Sequence, residues 1–155
     1  MDNSLVVTSV YKKIRRYCSY QDRTQHEVCR RLRVWGVVDT KVIMQLVQLL
    51  RQERFIDDVR YIEAFIRGKL RYSYWGREKI YAALVHKRLP SELIRRGLDA
   101  IPTEDYSHNM HYLFERKQKD LQALDPVRRR QKLIHYLLQK GYEGNLVQQL
   151  VGSIH

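Results

Sequence analysis

Histidine, cysteine and glutamate residues recur at spacings that could place two metal ligands on one face of a helix. His26 and Cys29 are three residues apart, and so are His108 and His111, with Glu115 four residues further on. A structural zinc site normally takes four ligands, however, and neither group has a visible complement elsewhere in the chain. We therefore expect no metal site and no other cofactor.

Two adjacent carboxylates, Asp57 and Asp58, suggest acid–base catalysis at first sight. Neighbouring side chains on a helix point about 100° apart, so the two do not converge on one substrate. An N-cap role, in which a carboxylate accepts from the free amides of a first turn, explains them better. The sequence also lacks a phosphate-binding loop, a nucleophile elbow and a paired-cysteine motif, which favours a protein that is not an enzyme.

Positive charge is the most informative feature of the composition. The 29 Lys and Arg residues outnumber the 17 Asp and Glu residues and give a net charge of +12. Such a surface attracts polyanions over a Debye length of about 8 Å in physiological salt. This charge indicates nucleic acid or an acidic partner; a charge that only keeps the protein in solution is the alternative.

Part of the charge lies in the middle of the chain, where Arg60, Glu63, Arg67 and Arg71 follow at helical spacings of three and four. They predict a mostly basic ridge on the face opposite the apolar residues of that helix. An aromatic and basic cluster comes directly after it and consists of Tyr72, Tyr74, Trp75, Arg77 and Lys79. Rings interleaved with cations are typical of single-strand binders, which stack bases and contact phosphates. For Tyr74 and Trp75 the alternative is packing between helices.

A second basic run opens a predicted helix in the last third of the chain and consists of Arg128, Arg129, Arg130 and Lys132. Cations are unusual at this place, because the helix dipole is positive at its N-terminus. An anion of a partner or of DNA would compensate them, and a solvated run of charge is the alternative. The basic residues between positions 12 and 33 are interpreted mainly as solvated faces.

An internal repeat supplies the frame that must position these residues. Val28, Ile80 and Leu133 recur at intervals of 52 and 53 residues. Five more sets of apolar residues follow in register, namely Leu32, Leu84 and Leu137; Val37, Leu89 and Tyr142; Ile43, Ile94 and Val147; Val47, Leu98 and Val151; and Leu50, Ile101 and Ile154. In each copy the first two positions are four apart and the last three are four and three apart, as on one helical face.

Start and stop signals divide each copy into three helices. A leading helix is predicted at about 9–19, 57–72 and 103–123, and two helices with the matched apolar positions follow each of them. The candidate N-caps are Thr24 with Glu27, Asp39, Asp57, and Asp125 before Pro126. Gly36 and Gly141 fit left-handed C-caps, and Pro90 fits the opening turn of a helix.

These signals predict an all-α fold of three tandem three-helix repeats that form an elongated, curved molecule. We expect one domain, residues 1–155, with repeats at about 9–54, 55–102 and 103–155. No apolar run approaches the roughly 18 residues of a membrane-spanning helix, and no export signal is visible. Two cysteines, Cys18 and Cys29, are too few for a disulfide framework. We therefore expect a soluble, cytoplasmic protein without membrane contact.

The second copy has two Asp residues before an apolar helix that ends in basic residues. The residues of this pattern are Asp57, Asp58, Arg60, Tyr61, Lys69 and Arg71. The pattern resembles the signature of the RecX family of recombinase regulators, in which Gly, Tyr, Leu or Ile and two Asp residues precede such a helix. Residues 75–80 and then Ala83, Leu84 and Lys87 are similar to the family's next stretch. Arg54 stands where the family usually has Gly, and Arg77 stands where Pro is common.

The resemblance implies a three-helix repeat over most of the chain and a monomer that binds the RecA protein filament on single-stranded DNA. It further implies inhibition of filament extension, ATPase activity and strand exchange, within DNA repair, recombination and the SOS response. Asp57, Asp58 and Tyr61 would then be structural. A DNA-binding protein that acts without RecA, or a scaffold for an acidic protein, is the alternative.

Overall fold

The computed structural model describes residues 3–153, and in this range the chain forms nine α-helices and no β-strand. The helices are α1 (Asn3–Tyr20), α2 (Gln25–Val34), α3 (Thr40–Gln52), α4 (Asp58–Gly68), α5 (Arg77–His86), α6 (Ser91–Asp99), α7 (Thr103–Asp120), α8 (Pro126–Gln139) and α9 (Gly144–Gly152). A π-helical turn, Lys69–Ser73, follows α4 directly. The predicted all-α fold with helices in successive threes is confirmed.

The matched apolar positions of the repeat form the interior. Sixteen of the eighteen are buried, Val37 is half-buried, and Ile154 lies outside the described residues. Each large aliphatic side chain removed from water contributes about 1.5–3 kcal/mol to folding before entropy is counted. The periodicity of the sequence therefore identified the packed faces of the helices α2, α3, α5, α6, α8 and α9.

Several helix starts are fixed by side-chain caps. The Thr24 hydroxyl accepts from the Glu27 amide at 3.1 Å. Three carboxylates cap other helices at 2.9–3.0 Å: Asp39 accepts from the Lys41 amide, Asp57 from the Arg60 amide and Asp125 from the Arg128 amide. Each such cap is worth about 1 kcal/mol. These predicted caps are confirmed, whereas Pro90 is extended, with ψ 128°, and precedes α6 instead of lying in its first turn.

A residue in the left-handed region ends the middle helix of each triplet. It is Gly36 with φ 89° after α2, Arg88 with φ 66° after α5 and Gly141 with φ 100° after α8. Glycine adopts this conformation without a steric cost, whereas a residue with a Cβ loses roughly 1–2 kcal/mol there. The predicted glycine caps are confirmed, and Arg54, with φ 62°, shows that an arginine takes the same conformation after α3.

Three helix bounds differ from the predicted ones. Helix α1 begins at Asn3 instead of about residue 9, and Val7 of the added turns packs against the core of the first three helices. Helix α4 ends at Gly68 because the chain widens into the π-helical turn. Helix α7 ends at Asp120 and not at 123.

By its internal contacts the described chain divides into two compact units: residues 3–61 with 87–89, and residues 62–86 with 90–153. In the first unit, α1, α2 and α3 all pack against one another around Ile14, Leu32, Leu46 and Leu50, which are fully buried. In the second unit, α5 packs on α6, α7 on α8 and α8 on α9. The predicted limits of the three repeats stay a prediction.

None of the helices in residues 3–153 combines the length and the apolar character that crossing a bilayer requires.

Candidate nucleic-acid interface

Arg60 is held by groups of its own unit. Its guanidinium lies 3.0 Å from the Asp22 carboxylate and donates to the carbonyl of Arg54 at 2.9 Å. The Arg54 carbonyl belongs to the left-handed residue after α3, so this bond fixes the strained turn before α4. We therefore leave Arg60 out of the interface proposed below, and its contact with nucleic acid stays a prediction.

Arg77 lies inside the second unit. Its guanidinium pairs with the Glu143 carboxylate at 2.9 Å and covers the Tyr106 ring at 3.9 Å, and only 25% of its side chain is exposed. The Tyr106 hydroxyl donates to Glu143 and accepts from the Arg77 amide at 2.9 Å. Burial, together with the bond to Glu143, raises the pKa of Tyr106. The arginine thus links α5, α7 and the start of α9, and we leave it out of the proposed interface.

In the basic run at the start of α8, one arginine is bonded within the fold and the other three cations are exposed. The guanidinium of Arg129 turns back and donates to the carbonyls of Gln122 and Leu124 at 3.2 and 3.0 Å. Arg128 is exposed and lies 3.6 Å from the capping carboxylate Asp125. Arg130 and Lys132 are also exposed. Binding of a partner's anion by this run stays a prediction, and Arg129 is engaged within the fold.

The predicted basic ridge continues past α4 into the π-helical turn. Arg67 and Arg71 are exposed and line a shallow cleft of about 310 Å³ together with Leu70 and residues of α7. The α7 residues are Asp105, His108 and Asn109, and the Asn109 amide donates to the Leu70 carbonyl at 3.0 Å. Two of the predicted cations therefore share one surface of the second unit.

The chain after the π-helical turn makes a tight left-handed bend at Tyr74. Tyr74 has φ 55°, and its carbonyl accepts from the buried Tyr142 hydroxyl at 2.7 Å. Its ring stacks on Tyr112 of α7 with centroids 5.0 Å apart. A non-glycine residue in this conformation costs about 1–3 kcal/mol, and such strain occurs most often at functional sites. The bend carries the aromatic residues that precede and follow Tyr74 to one side of the unit.

An open cleft of about 590 Å³ lies at this bend; we call it the aromatic cleft. It is bounded by the π-helical turn and the bend on one side and by α7 and α8 on the other. Its lining residues are Tyr72, Ser73, Tyr74, Trp75, Tyr112, Leu113, Arg116, Lys117, Asp120, Tyr136 and Lys140. Five of these are aromatic and three are cationic, which is a composition suited to bases and phosphates.

Two lysines that line the aromatic cleft, and two more next to its residue Trp75, lie against rings. The ammonium groups of Lys69 and Lys79 are 4.3 and 4.6 Å from the centre of the Trp75 ring. Those of Lys117 and Lys140 are 5.0 and 6.0 Å from the centre of Tyr136. Within the described range of the chain, no carboxylate is at ion-pair distance from these lysines or from Arg116. Their charge is therefore not compensated by an ion pair there, in contrast to that of Arg60 and Arg77.

Sequence reasoning found one wall of the aromatic cleft and missed the other. Tyr72, Tyr74 and Trp75 of that wall were predicted as one cluster with Arg77 and Lys79, and Lys69 was predicted separately as a basic residue at a helix end. The missed residues are Tyr112, Arg116, Lys117, Tyr136 and Lys140. Tyr112 with Arg116 and Tyr136 with Lys140 are ring–cation pairs at i,i+4 spacing, and this spacing was a signal that could have identified both.

Three residues of the family signature lie at the start of α4 in the first unit, namely Asp57, Asp58 and Tyr61. Asp57 caps the helix, and Asp58 pairs with Arg51 at 3.3 Å. Tyr61 is half-buried, and its burial raises the pKa of its hydroxyl. These contacts give all three residues a structural place, and we propose no role for them in binding.

No group of three or more His, Cys, Asp and Glu side chains suited to a metal ion occurs between residues 3 and 153. The two thiols are unbridged. Burial raises the pKa of Cys18 to about 11 and also raises the pKa of Cys29, so both thiols are protonated at neutral pH.

Comparison with known proteins gives consistent similarities over most of the chain. The sequence models of the second and third three-helix domains of RecX match residues 57–98 and 104–151. Regulatory protein RecX of Streptococcus agalactiae is 27% identical over 138 residues, which are 89% of this chain and 52% of that protein. Regulatory protein RecX of Bacillus mycoides is 29% identical over 142 residues, which are 92% of this chain and 52% of that protein. The chain thus spans about half the length of these curated relatives.

Solved structures have the same fold. The crystal structure of RecX from Lactobacillus salivarius superposes with a TM-score of 0.87 at 21% identity and covers 95% of each chain. A second crystal structure of regulatory protein RecX has a TM-score of 0.85 at 21% identity and covers 96% of this chain and 73% of that one. Since the matched domain models together span more than half of the sequence, the chain belongs to the RecX family.

Proposed function

We propose that this chain is a regulator of RecA that binds the RecA filament on single-stranded DNA and inhibits its extension, ATPase activity and strand exchange. The observation that carries the proposal is the match to two RecX domains over residues 57–98 and 104–151. Modulation of RecA is the role associated with this family. The net charge of +12 and the uncompensated cations at the aromatic cleft support a contact with the phosphates of the filament.

The proposal has no catalytic step, and the protein acts as a cytoplasmic monomer without a cofactor. Its effect on RecA comes from binding alone, since the proposed surface consists of cations and rings and not of a nucleophile beside a base. Binding to the strand and to RecA together would use two surfaces of one chain. DNA contact is assigned to the second unit.

A titration of RecA ATPase on single-stranded DNA tests this function. Increasing amounts of the intact chain are expected to depress ATP hydrolysis until it reaches a plateau. The double variant Lys69→Gln, Lys79→Gln is expected to require several-fold more protein for the same inhibition. Its control is Lys12→Gln, Lys41→Gln, which removes the same charge from exposed positions of the first unit.

An unchanged ATPase rate over the whole titration would contradict the proposal. The alternative function is binding to DNA without RecA, which the basic charge also favours. It predicts a sequence-specific footprint on duplex DNA in the absence of RecA.

A further inference from the structure

We propose that the aromatic cleft binds one unstacked nucleotide of single-stranded DNA, with its base on the Tyr72 ring and its phosphate near Arg116 and Lys117. This inference deepens the proposed function and rests on it, because it names the part of the filament that the second unit contacts. Four observations support it: the exposure of Tyr72, the cations without ion pairs, the size of the cleft and the strained backbone that forms it.

Tyr72 is available for a stacking partner. Its side chain is 75% exposed, whereas the ring of Tyr74, two residues later, is already stacked on Tyr112. The Arg71 guanidinium lies 5.4 Å from the Tyr72 ring centre and adds a cation beside that ring. Every nucleobase has an aromatic face, so a ring in this setting binds a base without reading its sequence.

The charge of the cleft favours phosphate groups. Arg116, Lys117 and Lys140 contribute three positive charges to the lining, and Asp120 contributes one negative charge. The Arg116 guanidinium donates to the Tyr112 hydroxyl at 3.3 Å, so it is directed along the wall of the cleft and is not bound by a carboxylate. A phosphodiester would lower this excess of positive charge and accept from these donors.

The size of the cleft fits a single nucleotide. Its volume of about 590 Å³ is within the range of about 300–1,000 Å³ found for small-molecule sites. A base inside a duplex has both faces covered by its neighbours, so only an unpaired base can lie on a protein ring. Binding at this cleft therefore selects single strands from double strands through base stacking.

The backbone that forms the cleft is costly to maintain. A π-helical turn and a left-handed tyrosine lie next to each other, and both features are typical of functional sites. The Tyr142 hydroxyl and the Tyr74–Tyr112 stack hold this geometry in place. The cleft is therefore formed before a ligand arrives, and binding requires little rearrangement.

The test measures the anisotropy of a labelled oligothymidylate with the intact chain and without RecA. A second oligonucleotide of the same length carries the same phosphates but has abasic residues in its centre. The wild type is expected to bind the abasic strand about 10-fold more weakly, and Tyr72→Ala is expected to bind both strands with equal, similarly reduced affinity. Tyr72→Phe keeps a ring and is expected to restore the difference between the strands.

The matched control is Tyr20→Ala, because Tyr20 lies in the first unit and is 73% exposed. It is expected to leave the difference between the two strands unchanged. Circular dichroism of each variant checks that the helical fold is kept. Equal binding of both strands by the wild type would overturn the stacking assignment.

Competition experiments distinguish the sources of the ligand. Displacement of the oligonucleotide by equimolar thymidine monophosphate would overturn the assignment to a DNA strand, and displacement by polyglutamate at matched charge would overturn the assignment to nucleic acid. No displacement by either supports the proposal.

The ATPase titration is run on the same variants. Base-dependent binding without inhibition of RecA would sink the proposed function and leave the nucleotide site standing. If the wild type binds both strands equally and Tyr72→Ala inhibits RecA as strongly as the wild type does, the nucleotide site would be refuted and the proposed function would stand.

Discussion

The backbones at Gly76 and Gly141 are in contact, and neither position has room for a side chain, since a Cβ on Gly141 would lie 2.4 Å from the Cβ of Lys79. A Cβ on Gly76 would lie 2.2 Å from the carbonyl carbon of Gly141, and the Gly76 amide donates to the Lys140 carbonyl at 2.7 Å. The Glu78 amide donates to the Gly141 carbonyl at 3.0 Å. Backbone thus meets backbone where α5 begins and α8 ends, directly beside the aromatic cleft.

Gly76→Ala is expected to lower the free energy of unfolding by at least about 3 kcal/mol, because backbone atoms on both sides must move. Urea denaturation followed by circular dichroism measures this decrease. Gly68→Ala is the control, since a Cβ at Gly68 meets nothing within 4 Å and its backbone is helical. Gly68→Ala should be neutral or up to about 1 kcal/mol more stable. A similar decrease in unfolding free energy in both variants would contradict the steric explanation.

Tyr142→Phe removes the hydroxyl that donates to the Tyr74 carbonyl and leaves the rest of the buried ring in place. The expected decrease is about 1–2 kcal/mol of unfolding free energy, because the strained bend then lacks a hydrogen bond. We also expect weaker binding of single-stranded DNA, since the bend positions Tyr72. Parallel urea denaturation and anisotropy would show both effects, and full stability with full affinity would refute the role of the bond.

Alkaline pH is expected to destabilise the fold through its buried tyrosines. Burial raises the pKa of Tyr142 and, with the Glu143 bond, of Tyr106 above the value of about 10 in an unfolded chain. Above that pH the unfolded state releases protons that the folded state keeps, so the free energy of unfolding falls as pH rises. Denaturation at pH 8 and pH 11 should show the decrease, and Tyr142→Phe should reduce it.

Arg77→Met tests the internal role of this arginine. The change leaves Glu143 without its cation, and we expect a decrease of about 1–3 kcal/mol in unfolding free energy. The matched control is Arg96→Met, which removes an exposed ion pair with Glu92 and should cost less than about 0.5 kcal/mol. DNA affinity of the folded Arg77→Met protein, measured by anisotropy, should stay near the wild-type value; a large decrease at full stability would restore Arg77 to the interface.

Arg67 and Arg71 are the cations whose spacing predicted the basic ridge. If both bind phosphates, the double variant Arg67→Ala, Arg71→Ala should have a shallower slope of log affinity against log salt concentration on single strands. The slope should change by about 0.7 for each phosphate that is no longer neutralised. Anisotropy titrations at several salt concentrations give this slope. An unchanged slope would show that neither residue binds a phosphate.

The repeat could be predicted from sequence because the information is local. Val28 with Leu32 and Ile43 with Val47 lie one helical turn apart, and the same spacing recurs in each copy. The caps were equally accessible, since a carboxylate such as Asp125 acts on an amide three residues away. For such features the pattern of residue types is enough.

The site depended on contacts between distant parts of the chain. Arg77 and Lys79 are two residues apart and looked equivalent, but Arg77 is drawn inward by Glu143, which lies 66 residues later. The second wall of the aromatic cleft comes from α7 and α8, and nothing in residues 69–79 indicates which side chains will face them. The π-helical turn, which sets the direction of Tyr72, has no signature in composition or periodicity.

The ammonium groups that surround Trp75 have a practical consequence for spectroscopy. The chain has two tryptophans: Trp35, which packs against the core of the first unit, and Trp75, at the aromatic cleft of the second. Each unit thus contains its own intrinsic fluorophore. In Trp35→Phe the remaining emission would come from the indole between Lys69 and Lys79, so the wavelength and intensity of that emission would follow occupancy of the cleft without any attached dye.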